Sequence, residues 1–184
     1  MATATRGSDV IIAGMGGQGA LLVGKMLSEL LMPYYEHVSW FPAYSTLMRG
    51  GPTECTVIFS HEDISSPLID YPSVAVVMDT NSFNLYADKM VPGSTLILDS
   101  SIVKEELERD GLRLIKVPAT EMVRELGSEQ AANFVLLGVY LKAEDVLPFE
   151  KVVEGFTQKL RAEGKENFIE LNTGALRKGW ESVS

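Results

Sequence analysis

The sequence predicts a single α/β domain with a Rossmann-like, doubly wound fold. We expect three layers, a mostly parallel sheet with helices on both faces. The chain opens with a β-branched apolar run, a glycine-rich turn and a helical apolar pattern. A later run, residues 74–78, is continuously apolar, which is typical of a strand covered on both faces, and residues 95–99 are predicted to be the next covered strand. The 184 residues contain no repeat and no interdomain linker. We therefore expect one domain over residues 9–184, preceded by a flexible polar segment over residues 1–8.

The first predicted unit is a strand at residues 9–13, a turn at residues 14–19 and a helix ending near Met32. Gly14, Gly16 and Gly19 fit the pattern G-x-G-x-x-G of phosphate-binding turns. Glycine accepts a positive φ and lets the backbone approach a neighbour closely. The free N–H groups at the start of such a helix attract an anion, typically a phosphate. The residues named as candidate ligand contacts are Gly14, Gly16, Gly17, Gln18 and Gly19.

The glycine pattern has two interpretations, ligand binding or close packing of strand against helix, and the sequence leaves both open. A dinucleotide-binding unit carries an acid at the end of its second strand, which holds the ribose. Here the second predicted strand, residues 37–41, ends in an aromatic residue and Pro42. Glu36, the nearby acid, stands at the strand's beginning. The sequence therefore disfavours bound NAD or FAD.

The segment between residues 42 and 53 is long for a connection inside a compact domain, and such loops are often functional. Arg49 lies in it beside Gly50 and Gly51, which would expose backbone N–H groups next to the guanidinium. This combination is suited to a carboxylate or a phosphate, from a ligand or from a partner chain. Alternatively, Arg49 pairs with a helix carboxylate and only fixes the loop. We predict the functional or interface role.

The rest of the chain continues the α/β pattern and closes with helices. Further strands are predicted at 54–59, 74–79, 95–99 and 112–117, and the last of them lies at a sheet edge. Helices are predicted at 80–89, 104–109, 119–126, 149–160 and 167–180. A further helix, after residue 126, is predicted to be capped by Ser128. Asp79 and Asp99 are interpreted as helix caps. The segment 134–141 is predicted to be a buried helix. Asn133 in that helix is a candidate interface residue if it is buried, since it would then need a partner.

Composition narrows the function classes. Sixteen basic and 25 acidic residues give a net charge of −9, which argues against nucleic acid or an anionic membrane as main partner. Cys55 is the single cysteine, so the chain by itself builds no disulfide and no iron–sulfur cluster; we expect it to be a buried strand residue. His37 and His61 lack metal-site spacing, and we predict no metal. No apolar stretch approaches about 20 residues, so we expect a cytoplasmic protein.

Four motifs, in order, resemble the gamma subunit of 2-oxoacid:ferredoxin oxidoreductases. The glycine turn looks like that family's opening G-x-G-G-Q-G. Residues 40–44 and Met48-Arg49-Gly50-Gly51 are similar to its aromatic-Pro…Tyr…Arg-Gly-Gly loop, which adds Tyr44 and Met48 as interface candidates. Residues 118–127 and 132–138 resemble its later signature. One departure is Ser45-Thr46-Leu47, which stands where members of the 2-oxoglutarate and 2-ketoisovalerate type usually carry Gly-Pro-Glu.

The resemblance implies a non-catalytic subunit of an enzyme that decarboxylates a 2-oxoacid, forms an acyl-coenzyme A and reduces ferredoxin. Thiamine diphosphate and iron–sulfur clusters are then expected in partner alpha, beta and ferredoxin-like delta subunits. This chain is expected to bind none of these cofactors firmly. The glycine turn and the Arg49 loop are candidate contacts for coenzyme A phosphates. The equal alternative is that they form only an interface with partner subunits. Isolated, the chain is expected to be inactive and able to form a homodimer. Two alternatives remain, a free-standing nucleotide-binding domain of the NAD type and an indolepyruvate oxidoreductase subunit.

Overall fold

A computed structural model describes residues 8–44 and 51–183, which form a six-stranded sheet between two layers of covering chain. The strands are β1 (Ser8–Met15), β2 (His37–Tyr44), β3 (Pro52–Ser60), β4 (Val74–Val77), β5 (Thr95–Asp99) and β6 (Arg113–Val117). The helices are α1 (Ala20–Leu31), α2 (Thr80–Ala87), α3 (Ala119–Arg124), α4 (Ala132–Ala143), α5 (Phe149–Ala162) and α6 (Ile169–Glu181). Single-turn 3₁₀ helices lie at Glu129–Ala131 and Glu166–Phe168.

The sheet order is β2-β3-β1-β4-β5-β6, and it confirms the predicted mostly parallel α/β class. Strands β1, β4, β5 and β6 pair in parallel, whereas β3 is antiparallel to both β1 and β2. β2 extends to Tyr44 and β3 begins at Pro52, so both are longer than predicted. Pro42 lies in β2, which is an edge strand, where a missing N–H is tolerated.

Each face of the sheet has its own core. One face packs its alternate residues, such as Val10 and Ile12, against α1, α4, α5 and α6. The opposite face, with Ile11 and Ala13, packs against α2 and the segment around Val103. This division follows from the alternation of side chains along a strand. The sequence prediction of helices on both faces is confirmed.

The helix α4 lies inside the larger core. All residues from Asn133 to Leu141 are buried, which confirms the predicted buried helix at 134–141. Its covering comes from α6 on one side and from the sheet and α1 on another. A helix that is apolar around its whole circumference has to be enclosed in this way.

Several sequence predictions need correction. Residues 104–109 form no helix, because their acids and lysines bond locally instead, as where Lys104 Nζ donates to the carbonyl of Ser100. Ser128 precedes a 3₁₀ turn and makes no side-chain cap. Leu22, an apolar residue of the helical pattern that follows the glycine turn, is 47% exposed rather than buried. Of the predicted flexible segment, Ser8 begins β1 and residues 1–7 lie outside the described residues.

Candidate functional site

The glycine turn lies at the carboxyl end of β1 and is held there by Gln18. The Gln18 carboxamide oxygen accepts from the N–H of Met15 at 2.7 Å, and its Nε2 donates to the carbonyl of Met78 at 3.1 Å. Gly14 has no room for a side chain, since a Cβ would lie 2.7 Å from Gln18 Oε1 and 3.1 Å from Met78 Cβ. The turn is therefore bound to the end of β4 as well as to β1.

The turn leaves the start of α1 open to a ligand. Gly17 and Gly19 have φ of +108° and +83°, values that favour glycine. Gly19 is the N-cap, and no side chain caps the helix; its first turn contains no acidic residue. The first N–H groups of this 12-residue helix are thus not satisfied by a side-chain cap, and they carry the positive end of the helix dipole.

Asn133, from the buried helix α4, meets this turn. Its side chain takes the space of the missing Gly19 side chain, because a Cβ on Gly19 would overlap Asn133 Nδ2. Asn133 is only 4% exposed, and its Oδ1 is a buried acceptor with no hydrogen-bond partner. A buried polar atom without a partner is costly unless something else supplies a donor.

Two cavities meet at Gly17 and Asn133. The first, which we call the α1 cavity, has a volume of about 420 Å³, within the range of small-molecule sites. Its apolar floor is formed by Leu22, Met26, Phe134, Phe168 and Leu171, and its polar wall by Gly19, Gln130, Asn133 and Asn172. Floor and wall together suit a ligand with one apolar and one polar part.

Two charged residues line the α1 cavity, Glu163 and Lys165, and they pair with each other. Lys165 Nζ lies 2.7 Å from Glu163 Oε2, and Lys159 Nζ lies 2.9 Å from Glu163 Oε1. The hydrogen bonds from Lys165 and Lys159 lower the pKa of Glu163 to about 2. The open N-terminus of α1 is then the main anion-attracting feature of this cavity.

The second cavity, which we call the β5 cavity, has about 210 Å³ and lies at the carboxyl ends of β4 and β5. Asp99 and Glu129 line it together with Gln18 and Thr120. Asp99 is 1% exposed and accepts from Thr120 N at 3.1 Å and from Thr120 Oγ1 at 2.6 Å, which fixes the start of α3. No helix directly follows Asp99, and the N-cap of α3 is Pro118, so the interpretation of Asp99 as a helix cap is wrong. The interpretation of Asp79 is confirmed, since it caps α2 by accepting from the N–H groups of Asn81 and Ser82.

The single cysteine is structural. Cys55 is 1% exposed and contacts α1, since a Cβ on Gly24 would overlap its sulfur. Burial raises the pKa of the thiol to about 12, against a smaller lowering effect of the Trp40 side chain. A thiol in that state is neither a nucleophile nor a metal ligand at neutral pH.

The sequence-predicted site residues fall into two groups. The glycine turn, Gln18, Asn133 and Gly51 are described, and Gly16 N donates to the Gly51 carbonyl at 2.9 Å, which places that end of the loop beside the turn. Tyr44 ends β2, and its side chain is outside the described part, as are Met48, Arg49 and Gly50. The proposed contacts of Arg49 therefore remain predictions.

Sequence reasoning missed the far wall of the α1 cavity. Gln130, Phe168 and Asn172 come from segments more than 100 residues after the glycine turn. No local pattern marks them, because only the packing of α6 against α4 brings them there. One feature of the α1 cavity that involves the first helix is the exposure of Leu22, which is an apolar side chain. This exposure is visible only in the folded structure.

The described ranges, 8–44 and 51–183, contain neither a metal-ligand cluster nor a membrane-spanning helix. Among these residues, no group of three or more histidine, cysteine, aspartate or glutamate side chains is placed to hold a metal ion. None of the helices in these ranges is both long and apolar enough to cross a membrane.

The sequence matches a family model over residues 9–182, that of the pyruvate ferredoxin/flavodoxin oxidoreductases. Ketoisovalerate oxidoreductase subunit VorA of Methanothermobacter thermautotrophicus is 35% identical over 94% of this chain but only 35% of its own length. The chain thus spans about a third of the first curated relatives it matches. 2-oxoglutarate synthase subunit KorC of Methanothermobacter marburgensis is 30% identical over 76% of this chain and 78% of its own.

Solved structures share the fold. The gamma subunit of a keto/oxoacid ferredoxin oxidoreductase from Geobacter sulfurreducens superimposes with a TM-score of 0.78, 22% identity and 96% coverage of both chains. A 2-oxoglutarate:ferredoxin oxidoreductase from Magnetococcus marinus, with 2-oxoglutarate, coenzyme A and succinyl-CoA bound, gives a TM-score of 0.85 at 20% identity. That match covers 98% of this chain and 32% of the other.

Proposed function

This chain belongs to the pyruvate ferredoxin/flavodoxin oxidoreductase family, and from that premise we propose that it is the gamma subunit of a 2-oxoacid:ferredoxin oxidoreductase. Residues 9–184 act as one domain of that complex, which oxidatively decarboxylates a 2-oxoacid and forms an acyl-coenzyme A. The chain itself carries no redox centre in this proposal. Thiamine diphosphate and iron–sulfur clusters belong to partner alpha, beta and delta subunits.

The role proposed for this subunit is to contact coenzyme A through its phosphates. One observation carries that role, the N-terminus of α1, which has no side-chain cap and lies beside Asn133, a residue whose Oδ1 has no hydrogen-bond partner. Backbone N–H groups at a helix start bind phosphate without a cationic side chain. The related 2-oxoglutarate enzyme holds coenzyme A and succinyl-CoA, which agrees with a coenzyme A contact in this chain.

The second part of the role is attachment to partner subunits at the same end of the sheet. Met15, Leu22, Ile102 and Phe168 are between 40% and 47% exposed, and they lie at the glycine turn or line the two cavities. Exposed apolar groups around a cleft are typical of protein contact surfaces. Of the interface candidates, Asn133 lines both cavities, and the contacts of Tyr44 and Met48 stay predictions.

Purification from the native cells under non-denaturing conditions tests the assembly. We expect the chain to co-purify with thiamine-diphosphate-binding subunits and with an iron–sulfur subunit. An isolated chain that turns over a 2-oxoacid would contradict the proposal. So would a monomer that is saturated by NAD.

Coenzyme A binding to the assembled complex tests Arg49. We expect Arg49→Ala to weaken it by about tenfold, as for the loss of one charge-assisted phosphate contact. Arg113→Ala is the matched control, because Arg113 begins β6 at the opposite end of the sheet and donates to the Ala143 carbonyl. Equal affinity for coenzyme A in the Arg49→Ala complex and the wild-type complex would show that Arg49 does not contact coenzyme A.

A further inference from the structure

We propose that the loop over residues 61–73, between β3 and β4, is a second docking element of this chain. It inserts Leu68 and Tyr71 into an apolar groove, edged by lysine or arginine, on a partner subunit. This rests on the proposed function, since it assumes that the chain works within a complex. It adds a contact at the amino end of the parallel strands, so that the chain meets partners at both ends of its sheet.

The loop is fastened to the amino end of the sheet by its last residue. Ser73 makes two hydrogen bonds to the Asp9 carboxylate, from N to Oδ1 and from Oγ to Oδ2, each at 2.7 Å. The Ser73 carbonyl accepts from the N–H of Thr95 at 2.9 Å. Asp9 lies near the beginning of β1 and Thr95 begins β5. The loop and the glycine turn therefore lie at opposite ends of the sheet.

The loop presents two large apolar side chains to solvent. Leu68 and Tyr71 are 68% and 66% exposed, more than any other large apolar side chain in the described part of the chain. They lie three positions apart in a 13-residue connection that contains no helix or strand. Single exposed apolar residues are common on any surface, but connections of this length in a compact domain are usually functional. The exposed pair therefore indicates a contact surface.

The shape of the loop is set before a partner binds. Ser66 Oγ accepts from the N–H of Leu68 at 3.1 Å and donates to the Leu68 carbonyl at 3.3 Å. Pro67 and Pro72 stand on either side of the exposed pair, and Pro72 is buried. A proline ring fixes φ. A segment that is already ordered loses less conformational entropy on binding, so its apolar side chains are suited to act as anchors.

The charge of this region selects the partner. Residues 50–88 contain six acidic residues and no lysine or arginine. Asp70 stands between the two apolar anchors, is exposed, and forms no ion pair within the described part of the chain. Acids beside an apolar contact are complemented by cationic side chains on the partner. A second copy of this chain is disfavoured, because each copy has a net charge of −9 and brings the same acidic loop.

Photo-cross-linking in the assembled complex tests the inference. A photoreactive phenylalanine analogue replaces Leu68 or Tyr71, and in a control complex it replaces Leu85, which is 48% exposed and lies on α2. We expect positions 68 and 71 to give cross-links to one and the same partner subunit. The cross-linked peptides of that subunit should combine apolar residues with lysine or arginine. Position 85 should give much less product with it.

The affinity of the chain for the cross-linked subunit is the second measurement. Leu68→Ser combined with Tyr71→Ser should weaken it about tenfold or more, as for the loss of anchor residues. Asp70→Lys should weaken it and reduce its dependence on salt. Leu85→Ser and Glu108→Lys are the matched controls, because both residues are exposed outside the loop. All these side chains are exposed, so thermal unfolding of each variant should match that of the wild type.

The outcomes separate this inference from the proposed function. Cross-links from positions 68 and 71 to a second copy of this chain, or to no subunit of an intact complex, would overturn the inference and leave the proposed function standing. Unchanged affinity in the double variant would do the same. A chain that enters no complex would overturn both.

Discussion

Gly138 and Gly179 form a reciprocal contact between α4 and α6. A Cβ on Gly138 would overlap the carbonyl oxygen of Leu176, and a Cβ on Gly179 would overlap the carbonyl oxygen of Val135. Each glycine thus allows the backbone of the other helix to approach without an intervening side chain. This contact brings α6, and with it Asn172 and Leu171, to the wall of the α1 cavity.

The first prediction concerns this helix crossing. Gly138→Ala and Gly179→Ala should each lower the free energy of unfolding by about 2 kcal/mol or more, because the helices must move apart around the methyl group. Urea denaturation followed by circular dichroism measures this. Gly174→Ala in α6 is the control, since its Cβ would meet no atom within 4 Å; it should gain up to about 1 kcal/mol from helix propensity. Equal effects at all three positions would contradict the assigned contact.

The second prediction concerns the pH dependence that Cys55 contributes. Its pKa is raised from 9.0 to about 12 by burial, so between these values the unfolded chain loses the thiol proton and the folded chain keeps it. The unfolded state then binds fewer protons, and stability falls as pH rises from about 9 toward 12, by up to about 1.4 kcal/mol per pH unit.

Cys55→Ala isolates this contribution. The difference in the free energy of unfolding between wild type and variant should change with pH above about 9 and stay constant below it. Alkylation by iodoacetamide at pH 8 should be slow in the native wild type and fast in urea. A pH-independent difference, or rapid native alkylation, would show that the thiol is not buried as described.

The third prediction concerns Tyr86 and Glu54, which link α2 to β3. The Tyr86 hydroxyl donates to Glu54 Oε2 at 2.5 Å, and Tyr86 is 2% exposed. Burial, with the hydrogen bond to Glu54, raises the pKa of Tyr86 above its usual value. Tyr86→Phe should cost about 1.5–3 kcal/mol, the range for a hydrogen bond to a charged group.

A double-mutant cycle with Glu54→Gln gives the coupling between the two residues, for which we expect at least about 1 kcal/mol. Tyr71→Phe is the control, because Tyr71 is 66% exposed and its hydroxyl reaches water. It should leave stability unchanged within about 0.5 kcal/mol. Additive effects of Tyr86→Phe and Glu54→Gln would show that the bond contributes nothing to the native state.

The fourth prediction concerns Tyr140, whose hydroxyl is buried in α4 without a hydrogen-bond partner among the described residues. Tyr140→Phe removes a polar atom that has no bond to lose, so stability should rise by up to about 1 kcal/mol or stay the same. Thermal and urea unfolding of the variant measure it. A loss of more than about 1 kcal/mol would mean that the hydroxyl has a partner in the folded protein.

The sequence by itself determined the local elements and their chemistry. Period-3.6 and period-2 patterns gave the helices and strands, since each residue's neighbours in the pattern are close along the chain. The glycine turn was predicted from its spacing, whereas Gln18 was predicted as a ligand contact and its hydrogen bonds with Met15 and Met78 were not foreseen. The continuous apolar run from Phe134 to Leu141 predicted an enclosed helix, which the burial of α4 confirms.

Only the tertiary structure decided which of these elements meet. β3 lies antiparallel between β2 and β1. The alternation of side chains within β3 specifies neither its neighbours nor its direction. Asn133 reaches Gly19, 114 positions earlier in the chain, and Phe168 and Asn172 close the cavity from farther still. Such contacts depend on which backbones can approach, as at Gly138 and Gly179. A helix pattern records that a face is apolar, but not which surface will cover it.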